Sequence, residues 1–393
     1  MSSRFDEIVD FNHSNGYKWN FLTERGFAPD AIALWVADMD FRSPQPITDA
    51  VVASAQRGLF GYAGTKRDYF EAIAGWMQRR YQWTVEKDWL VTTPGVVTAF
   101  SAAVRGCTQP GDAVLIQPPV YMPFHSAVKL NERRLVFNQL CLVDGHYEID
   151  FDDFECKIID ENVRMFILCN PANPVGRAWT LDELTRMGDI CVRHNVTVVS
   201  DEIHQDLVMP GRRHHVFAGI KPEFSRITIT CTAPSKTFSV AGLHTSNIFV
   251  EDATLRRQLN AELMRAAASG ANRLGLVACQ AAYEHCEPWL TECVAYIAAK
   301  AQYVRDFMAT RLPLIKTMEL EATYLMWLDC RELGMTDSEL ETFMSRDAKL
   351  ALNMGHSFGP GGTGYVRMNV ACPRAILTAA LEQLEAALVA RGA

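Results

Sequence analysis

The first residue in this sequence that could do chemistry is a lysine that follows a strand-like segment. The segment Ile227–Cys231 opens with alternating β-branched residues and leads to Pro234, Ser235 and Lys236. Most lysines lie on the surface, so an exposed loop lysine is the ordinary interpretation. A lysine held in a cleft would instead be desolvated, and its neutral amine could form a Schiff base with a carbonyl group. The segment by itself does not decide between these two interpretations.

Other strand-like segments end in the same way, at residues that could bind a ligand. They lead to Gly95, to Tyr121, to Asn173 and to Asp201. In an open α/β sheet, ligands bind outside the carboxyl ends of the strands. We therefore expect these four residues and Lys236 to meet at one edge of a sheet.

Gly95 precedes a predicted helix that starts with Val96 and Val97. The backbone N–H groups at such a helix N-terminus can hold a phosphate dianion, and a glycine lets the ligand approach them closely. The structural alternative is a turn glycine without a ligand.

The side chains at the other strand ends would suit an aromatic ligand. Tyr121 offers a flat face to a ring, and Asn173 can donate a hydrogen bond to an oxygen anion. Asp201 would stay ionised beside a cationic ring nitrogen. Each also has a structural alternative: a rim aromatic, a turn between prolines and a helix cap, respectively. Together with an amine at Lys236 and a phosphate site, they describe pyridoxal phosphate.

The segments that must position these residues predict an α/β fold. Uniformly apolar strands that alternate with helices indicate a mostly parallel sheet covered by helices on both faces. The predicted strands are Trp89–Thr93, Ala113–Gln117, Met165–Cys169, Val196–Ser200 and Ile227–Cys231, with Ser246–Val250 as an additional one. Helices are predicted over Pro44–Leu59, with Ser43 as N-cap, and over Asp68–Tyr81, Val96–Gly106 and Leu181–Asn195.

The last third of the chain predicts a smaller α+β domain. It is largely helical from Ala253 to about Leu312, and then carries the predicted strands Leu325–Leu328 and Gly364–Val370 and the predicted helices Asp337–Ala348 and Pro373–Arg391. We predict an N-terminal segment over residues 1–45 that packs with the small domain, a large ligand-binding domain over 46–285 and the small domain over 286–393.

Composition limits the possible partners and the compartment. The 393 residues are 49% apolar and 21% charged, with a formal charge of −8 and no basic runs, so nucleic acid and anionic membranes are not expected partners. The N-terminus lacks the apolar region of a signal peptide, and no apolar stretch is long enough to span a membrane. The eleven cysteines contain no C-x-x-C pair. We expect a cytoplasmic protein.

Two patterns are predicted to have no catalytic role. The stretch Gly359–Gly364 fits G-x-G-x-x-G, but it precedes a strand, whereas a dinucleotide site must follow one and open a helix. Cys279, Cys286 and Cys293 recur every seven residues, which indicates a packing stripe near one helix face and no metal site.

Several motifs resemble those of a known family. NPANPVG at Asn170–Gly176, SDEIHQD at Ser200–Asp206 and SKTFSVAGL at Ser235–Leu243 resemble the fold-type I pyridoxal phosphate enzymes of the class I/II aminotransferase superfamily, over essentially the whole chain. YKWN at Tyr17–Asn20 and LWVADMDF at Leu34–Phe41 are similar to the MalY/PatB group of cystathionine β-lyases, or C–S lyases. His204 adds to this likeness, because most aminotransferases of the superfamily carry a tyrosine there.

The resemblance implies a role for each matching residue. Lys236 would carry the cofactor and later move protons, Asp201 would pair with the ring nitrogen, and Asn173 with the ring oxygen. Tyr121 would stack on the ring beside His204, and the phosphate would contact Gly95, Val96, Val97, Ser235 and, across a homodimer interface, Tyr62. Arg367 would bind the substrate α-carboxylate near Asn173 and the backbone of Ala37. His244 is a departure, since many relatives have a phosphate-binding arginine at that position.

The resemblance also implies the reaction. β-Elimination from a sulfur amino acid such as cystathionine, cystine or cysteine would give pyruvate, ammonia and a thiol. Transamination to a 2-oxo acid shares the steps up to removal of the α-proton, and no residue separates the two reactions by itself. A regulatory binding protein that keeps the same fold is the third hypothesis.

Overall fold

A computed structural model describes residues 3–12 and 14–392. Its helices are α1 (Tyr17–Asn20), α2 (Gln45–Gln56), α3 (Arg67–Tyr81), α4 (Val96–Cys107), α5 (Met122–Lys129), α6 (Phe151–Asp160), α7 (Leu181–Arg193), α8 (Pro222–Ile227), α9 (Pro234–Thr237), α10 (Ala253–Arg265), α11 (Arg273–His285), α12 (Glu287–Arg311), α13 (Asp337–Thr342) and α14 (Arg374–Arg391). Its strands are β1 (Ile32–Ala33), β2 (Leu90–Thr93), β3 (Ala113–Ile116), β4 (Arg134–Phe137), β5 (Cys141–Val143), β6 (His146–Glu148), β7 (Val163–Cys169), β8 (Thr197–Asp201), β9 (Thr228–Thr232), β10 (Ser246–Phe249), β11 (Lys316–Thr317), β12 (Leu325–Asp329), β13 (Leu350–Ala351), β14 (Asn353–Met354) and β15 (Tyr365–Asn369).

The central element is a seven-stranded sheet in the order β2-β10-β9-β8-β7-β3-β4. The five strands β9, β8, β7, β3 and β4 run parallel to one another. Strand β10 is antiparallel to both β2 and β9, which are its two neighbours. The mostly parallel sheet predicted from the sequence is confirmed, and so is the additional strand after the lysine.

The apolar strands of this sheet are buried on both faces. Along β7, Met165 and Ile167 lie in the core beneath α4, α5 and α10, whereas Phe166 and Leu168 lie in the core beneath α6, α7 and α8. Successive side chains of a strand point to opposite faces, so a strand covered on both sides must be apolar at every position. This is why the sequence shows uninterrupted apolar runs there.

A smaller antiparallel sheet, in the order β11-β12-β15-β14, lies towards the C-terminus. The N-terminal segment reaches it through the backbone N–H of Asn369 in β15, which donates to the carbonyl of Leu34 at 2.9 Å. In addition, Ile32 and Ala33 of β1 pair in parallel with Leu350 and Ala351 of β13 as a separate two-stranded sheet. One continuous apolar core includes side chains from α3, α11, α12 and α14 and from the smaller sheet. The division at residues 45 and 285 stays a prediction.

Several local predictions need correction. Ser43 does not cap α2, which has no side-chain cap; its hydroxyl donates to the carbonyl of Phe238 at 3.1 Å. The helix predicted to run to Ala348 ends at Thr342 and continues as a π-helical turn. Cys286 lies between two helices, so the three cysteines do not share one helix, although all three are buried in the same core.

The described residues were searched for membrane-spanning helices and for metal-binding clusters. No helix among residues 3–12 and 14–392 is long and apolar enough to cross a membrane. Within the same residues, no cluster of histidine, cysteine and acidic side chains is arranged to hold a metal ion. The stretch Gly359–Gly364 lies before β15, as predicted, and does not open a helix.

Candidate active site

A cavity of about 510 Å³ lies at the carboxyl ends of β7, β8 and β9. The smaller sheet and the N-terminal segment supply its other walls, through β15 and the stretch before α2. Eight of the residues singled out in the sequence line it: Ala37, Val96, Tyr121, Asn173, Asp201, His204, Lys236 and Arg367. Residues that are far apart in the chain therefore meet around one space.

Five of the singled-out residues do not line this cavity. Gly95 and Val97 flank Val96 at the start of α4, and Ser235 is buried in the turn that carries the lysine. Tyr62 is fully exposed on the loop between α2 and α3. His244 is also exposed, in a left-handed backbone conformation with φ of 45°.

Lys236 projects from the short helix α9, directly after β9. Its Nζ donates a hydrogen bond to the carbonyl of Ala37 at 2.7 Å and lies 3.9 Å from the carboxylate of Asp38. Burial lowers the pKa of Lys236, and the charge of Arg367 lowers it further, against the opposite effect of Asp38. A lowered pKa increases the fraction of neutral amine, which is the nucleophilic form.

The turn that carries Lys236 is held by a buried carboxylate. The hydroxyl of Thr237 donates to Asp206 Oδ2 at 2.8 Å. Asp206 also accepts hydrogen bonds from Trp76 Nε1 at 3.0 Å and from the hydroxyl of Tyr81. The residue next to the lysine is thereby tied to α3.

Asp201 ends β8 and lies on the floor of the cavity. Its carboxylate receives one hydrogen bond from the protein, from the backbone N–H of Ile203 at 3.3 Å. Burial raises the pKa of Asp201 to about 7. A cationic group next to this carboxylate would favour its ionised form, so the position suits a protonated ring nitrogen.

Arg367 lies in the middle of β15, with its guanidinium buried in the cavity wall. It donates to Asn173 Oδ1 and to the carbonyl of Trp35, both at 3.0 Å, and to Asn353 Oδ1 at 2.5 Å. These acceptors are all neutral, and its Nε has no hydrogen-bond partner among the residues that the structure describes. Burial lowers the pKa of Arg367 to about 10, so it remains cationic at neutral pH.

No carboxylate of the described residues lies within the 4.0 Å that defines an ion pair with Arg367. A buried cation without a counter-ion is costly, and a bound carboxylate would supply one. The position therefore suits the α-carboxylate of an amino acid.

His204 and Tyr121 form the sides of the cavity. Burial lowers the pKa of His204 to about 3, so the imidazole is neutral at pH 7. Its buried Nδ1 has no hydrogen-bond partner within residues 3–12 and 14–392. Burial raises the pKa of Tyr121 to about 12, so its phenol is also neutral. Two neutral rings and one buried acid provide an environment for a flat aromatic ligand.

The N-terminus of α4 is suited to a phosphate. No side chain caps this helix, so the first backbone N–H groups lack side-chain acceptors. A Cβ built on Gly95 would meet no other atom within 4 Å, which means that open space lies in front of the helix. An anion in that space would accept from the N–H groups and interact favourably with the helix dipole.

These observations fit pyridoxal phosphate. They include an uncapped helix end with open space, a buried acid with one backbone partner, two unpartnered buried nitrogens and an amine with a lowered pKa. Each matches one part of the cofactor or of an amino acid bound to it.

The sequence did not single out every residue that lines the cavity. Tyr17 and Trp35 belong to motifs that served only to identify a resemblance, and their own contribution to the wall was not foreseen. Asn353, which orients Arg367, lies in a short strand without a local pattern. The hydroxyl of Tyr324 donates to the carbonyl of Ala37 at 2.8 Å and fixes the acceptor of the lysine.

Comparison with known proteins gives consistent matches over the full chain. The family described as "Aminotransferase class I and II" matches residues 29–384. Cystathionine β-lyase PatB of Bacillus subtilis strain 168 is 43% identical over 384 residues, which cover 98% of this chain and 99% of PatB. Protein MalY of Escherichia coli strain K12 is 30% identical over 95% of each chain.

Among solved structures, cystalysin from Treponema denticola, which contains a pyridoxal 5′-phosphate cofactor, superimposes with a TM-score of 0.96. It is 36% identical to this chain, and the match covers 100% of both chains.

Proposed function

The chain belongs to the class I and II aminotransferase family, and we propose that it is a pyridoxal phosphate-dependent carbon–sulfur β-lyase. It converts a sulfur amino acid into pyruvate, ammonia and a thiol. One observation carries the proposal: the amine of Lys236, the acid of Asp201 and the guanidinium of Arg367 line one cavity in a chain that is similar throughout to a cystathionine β-lyase.

Each residue has a distinct task in this reaction. When bound, pyridoxal phosphate withdraws electrons from the α-carbon of an attached amino acid. Asp201 would hold the proton of the cofactor's ring nitrogen, and Asn173 would donate a hydrogen bond to its ring oxygen. Arg367 would orient the substrate through its α-carboxylate, and Lys236 Nζ would take the proton from Cα. The electron withdrawal that the cofactor supplies would then let the Cβ–S bond break, with the thiol as the leaving group.

Further residues of the chain would hold the cofactor. The N–H groups at the start of α4, next to Gly95, Val96 and Val97, would bind its phosphate together with Ser235. Tyr121 and His204 would enclose the ring. The backbone of Ala37, which accepts the hydrogen bond of Lys236 Nζ, adjoins the site of the substrate carboxylate.

The decisive experiment is an assay of pyruvate from cystathionine without an added 2-oxo acid. The lyase produces pyruvate and ammonia in equal amounts under these conditions. If turnover instead requires 2-oxoglutarate or pyruvate as acceptor, the protein is an aminotransferase and the proposal fails.

The cofactor site has its own test. Borohydride reduction followed by peptide mapping should identify the adduct on Lys236, and the Lys236→Ala variant should give none. An adduct on another lysine would contradict the assigned site.

We also propose that the protein is a homodimer in which Tyr62 reaches the cofactor phosphate of the other subunit. Leu59, Phe60 and Tyr62 form a run of exposed apolar and aromatic side chains. Arg273 donates to the carbonyls of Gly61 and Tyr62 at 3.3 and 3.2 Å, and Tyr62 does not line the active-site cavity of its own subunit.

Mixing two inactive variants tests this arrangement. A hybrid of Tyr62→Ala and Lys236→Ala subunits contains one intact site, so random mixing should restore about a quarter of the wild-type activity. No recovery after verified subunit exchange would show that each subunit uses its own Tyr62.

The cellular location is proposed as cytoplasmic. All eleven cysteines are free thiols, which suits a reducing compartment. Fractionation of the producing cells with a periplasmic marker as control would test this location.

A further inference from the structure

Two hydrogen-bond donors of the active site meet at one backbone carbonyl, that of Ala37. Lys236 Nζ donates to this oxygen at 2.7 Å, and the hydroxyl of Tyr324 donates to it at 2.8 Å. A carbonyl oxygen has two lone pairs, so these two donors use its full capacity as an acceptor. The amine therefore shares its acceptor with a phenol that does not itself line the cavity.

Tyr324 directly precedes β12, and its side chain is completely buried. Burial raises the pKa of its phenol well above the usual value, so the hydroxyl stays protonated and acts as a donor to the carbonyl. The ring packs edge-on against the ring of His204, with 5.9 Å between the ring centres. The ring and the hydroxyl thus both contact residues that line the cavity.

The backbone before Tyr324 has an unusual conformation. Thr323 is buried and left-handed, with φ of 70°, which β-branched residues rarely adopt. Its N–H donates to the carbonyl of Leu207 at 2.7 Å, and its Oγ1 accepts from the N–H of Leu325 at 3.0 Å. Strained residues of this kind cluster at active sites. Here the residue that follows the strained one is the tyrosine whose hydroxyl reaches the carbonyl next to the lysine.

The carbonyl of Ala37 does not need Tyr324 to stay in place. Asn369 Nδ2 donates to the carbonyls on both sides of it, those of Val36 at 2.8 Å and of Asp38 at 2.7 Å. Because the flanking carbonyls are already held, the phenolic hydroxyl adds little to the position of this segment. Its effect therefore falls on the other donor at the same oxygen, which is the amine of the lysine.

We propose that Tyr324 is a positioning residue for Lys236: by occupying one lone pair of the Ala37 carbonyl, its hydroxyl weakens the hold of this carbonyl on the amine. Two donors at one oxygen bring two positively polarised hydrogens close together, and these repel each other. The repulsion is stronger for a charged ammonium group than for a neutral amine. Tyr324 therefore favours the neutral form of Lys236, which is the form that acts as a base or a nucleophile.

The charges around Lys236 come from several other elements. Burial is the main cause that lowers the pKa of Lys236, and the charge of Arg367 lowers it further. Asp38, 3.9 Å from Nζ, and Asp201 at the end of β8 raise it. Three further titratable side chains in the cavity wall carry no charge at neutral pH: His204, Tyr121 and Cys169. None of these groups changes when only the phenolic hydroxyl is removed.

The Tyr324→Phe variant tests this role, because it removes the hydroxyl and keeps the ring. Competitive labelling of the full-length, cofactor-free chain with trace acetic anhydride, followed by mass spectrometry of the peptide that carries Lys236, measures the pKa of this amine. We expect the pKa to rise by about 0.5–1 pH unit in Tyr324→Phe, the effect of one modest hydrogen bond. In the holoenzyme, the acidic limb of the pH profile of kcat should move to higher pH by a similar amount.

Two control variants accompany this measurement. Tyr303→Phe removes another partly buried hydroxyl, which hydrogen-bonds to Thr378 and lies outside the cavity lining, so the pKa of Lys236 should stay unchanged. Asp38→Asn removes a carboxylate that raises this pKa, so the pKa should fall. The opposite responses of Tyr324→Phe and Asp38→Asn distinguish the loss of a competing donor from the loss of a charge.

The inference goes beyond the proposed lyase function, because it concerns the acidity of the amine and not the substrate. An unchanged or lower pKa of Lys236 in Tyr324→Phe would overturn it. A uniform change in labelling at every pH would also overturn it, since the amine would then be displaced without a change in its acidity. The labelling requires no turnover, so it decides the role of Tyr324 even if the pyruvate assay refutes the lyase function.

Discussion

Asp201, the last residue of β8, and Asp206, which follows this strand, are two buried carboxylates with side chains in very different surroundings. They are 3% and 1% exposed. Asp206 accepts three side-chain hydrogen bonds, from Trp76, Tyr81 and Thr237. Asp201 accepts one hydrogen bond, from a backbone N–H at 3.3 Å. The carboxylate of Asp206 is therefore well satisfied by side chains of the protein, whereas the carboxylate of Asp201 is not.

Glu202 lies between Asp201 and Asp206 in the sequence. Its carboxylate resembles that of Asp206, because it also has several partners in the protein. It accepts from Ser200 Oγ at 2.8 Å, from Phe217 N at 3.0 Å and pairs with His214 Nε2 at 2.8 Å. Buried polar groups normally have partners, because an unpartnered one costs free energy. A buried acid with few partners at a cavity floor is thus better explained by function than by stability.

The largest expected effect is the loss of activity when Asp201 is replaced. Asparagine is nearly isosteric but cannot hold a proton on a cationic ring nitrogen, so Asp201→Asn should lower kcat for pyruvate release by about 10²–10³-fold. Circular dichroism and thermal unfolding should show an intact fold. A loss of activity smaller than tenfold would mean that Asp201 is not the partner of the ring.

The next effect concerns the stability of the cofactor-free protein. The pKa of Asp201 is about 7 in the folded protein, above its usual 3.8. Because the folded state keeps this proton longer than the unfolded state, the contribution of Asp201 to stability falls as the pH rises from about 4 to 7 and is constant above 7.

Asp201→Asn removes this dependence. The cofactor-free variant should therefore be more stable than the wild type at pH 8, by roughly 4 kcal/mol, and the difference should shrink towards pH 4. Urea unfolding at several pH values measures it. Equal stability at pH 8 would show that Asp201 has another partner in solution.

Replacing Asp206 should lower the stability of the folded protein, whereas replacing Asp201 should raise it. Asp206→Asn weakens charge-assisted hydrogen bonds that tie α3 and Thr237 together, so the free energy of unfolding should fall by about 2 kcal/mol. Urea unfolding at pH 7 with an unchanged m-value measures the loss. If the variant keeps wild-type stability, the contrast between the two carboxylates is wrong.

The smallest effect is expected at Glu202. Glu202→Gln keeps one carbonyl oxygen as an acceptor for Ser200, His214 or Phe217, so the free energy of unfolding should fall by only about 1 kcal/mol. Cofactor content, read from the visible absorbance of the purified protein, should stay at the wild-type level. If the variant loses its cofactor, Glu202 contributes to cofactor binding, as we propose for Asp201.

Much of the site could be predicted because its residues follow strands. A parallel sheet brings the ends of its strands to one edge, so Asn173, Asp201 and Lys236 could be grouped before any coordinates were known. The strand patterns themselves were readable because burial on both faces demands apolar residues throughout.

The wrong predictions share one cause, which is competition from distant residues. Ser43 has the side chain and the position of a helix cap, but a backbone carbonyl almost two hundred residues away accepts its hydrogen bond. The spacing of the cysteines suggested a single helix, but the chain breaks at Cys286 between α11 and α12. Local spacing cannot report such tertiary partners.

The sequence by itself determined the type of sheet, the order of the residues at its edge and, through the motifs, the family of the protein. Those properties follow from local periodicity and from a general rule about strand ends. Only the tertiary structure decided which buried acid is satisfied, which carbonyl faces Lys236 and which tyrosine shares that carbonyl. These depend on contacts such as Lys236 with Ala37 and Arg367 with Trp35, which join segments 199 and 332 residues apart. No local pattern encodes such a contact, because its energy arises only when the distant segments pack together.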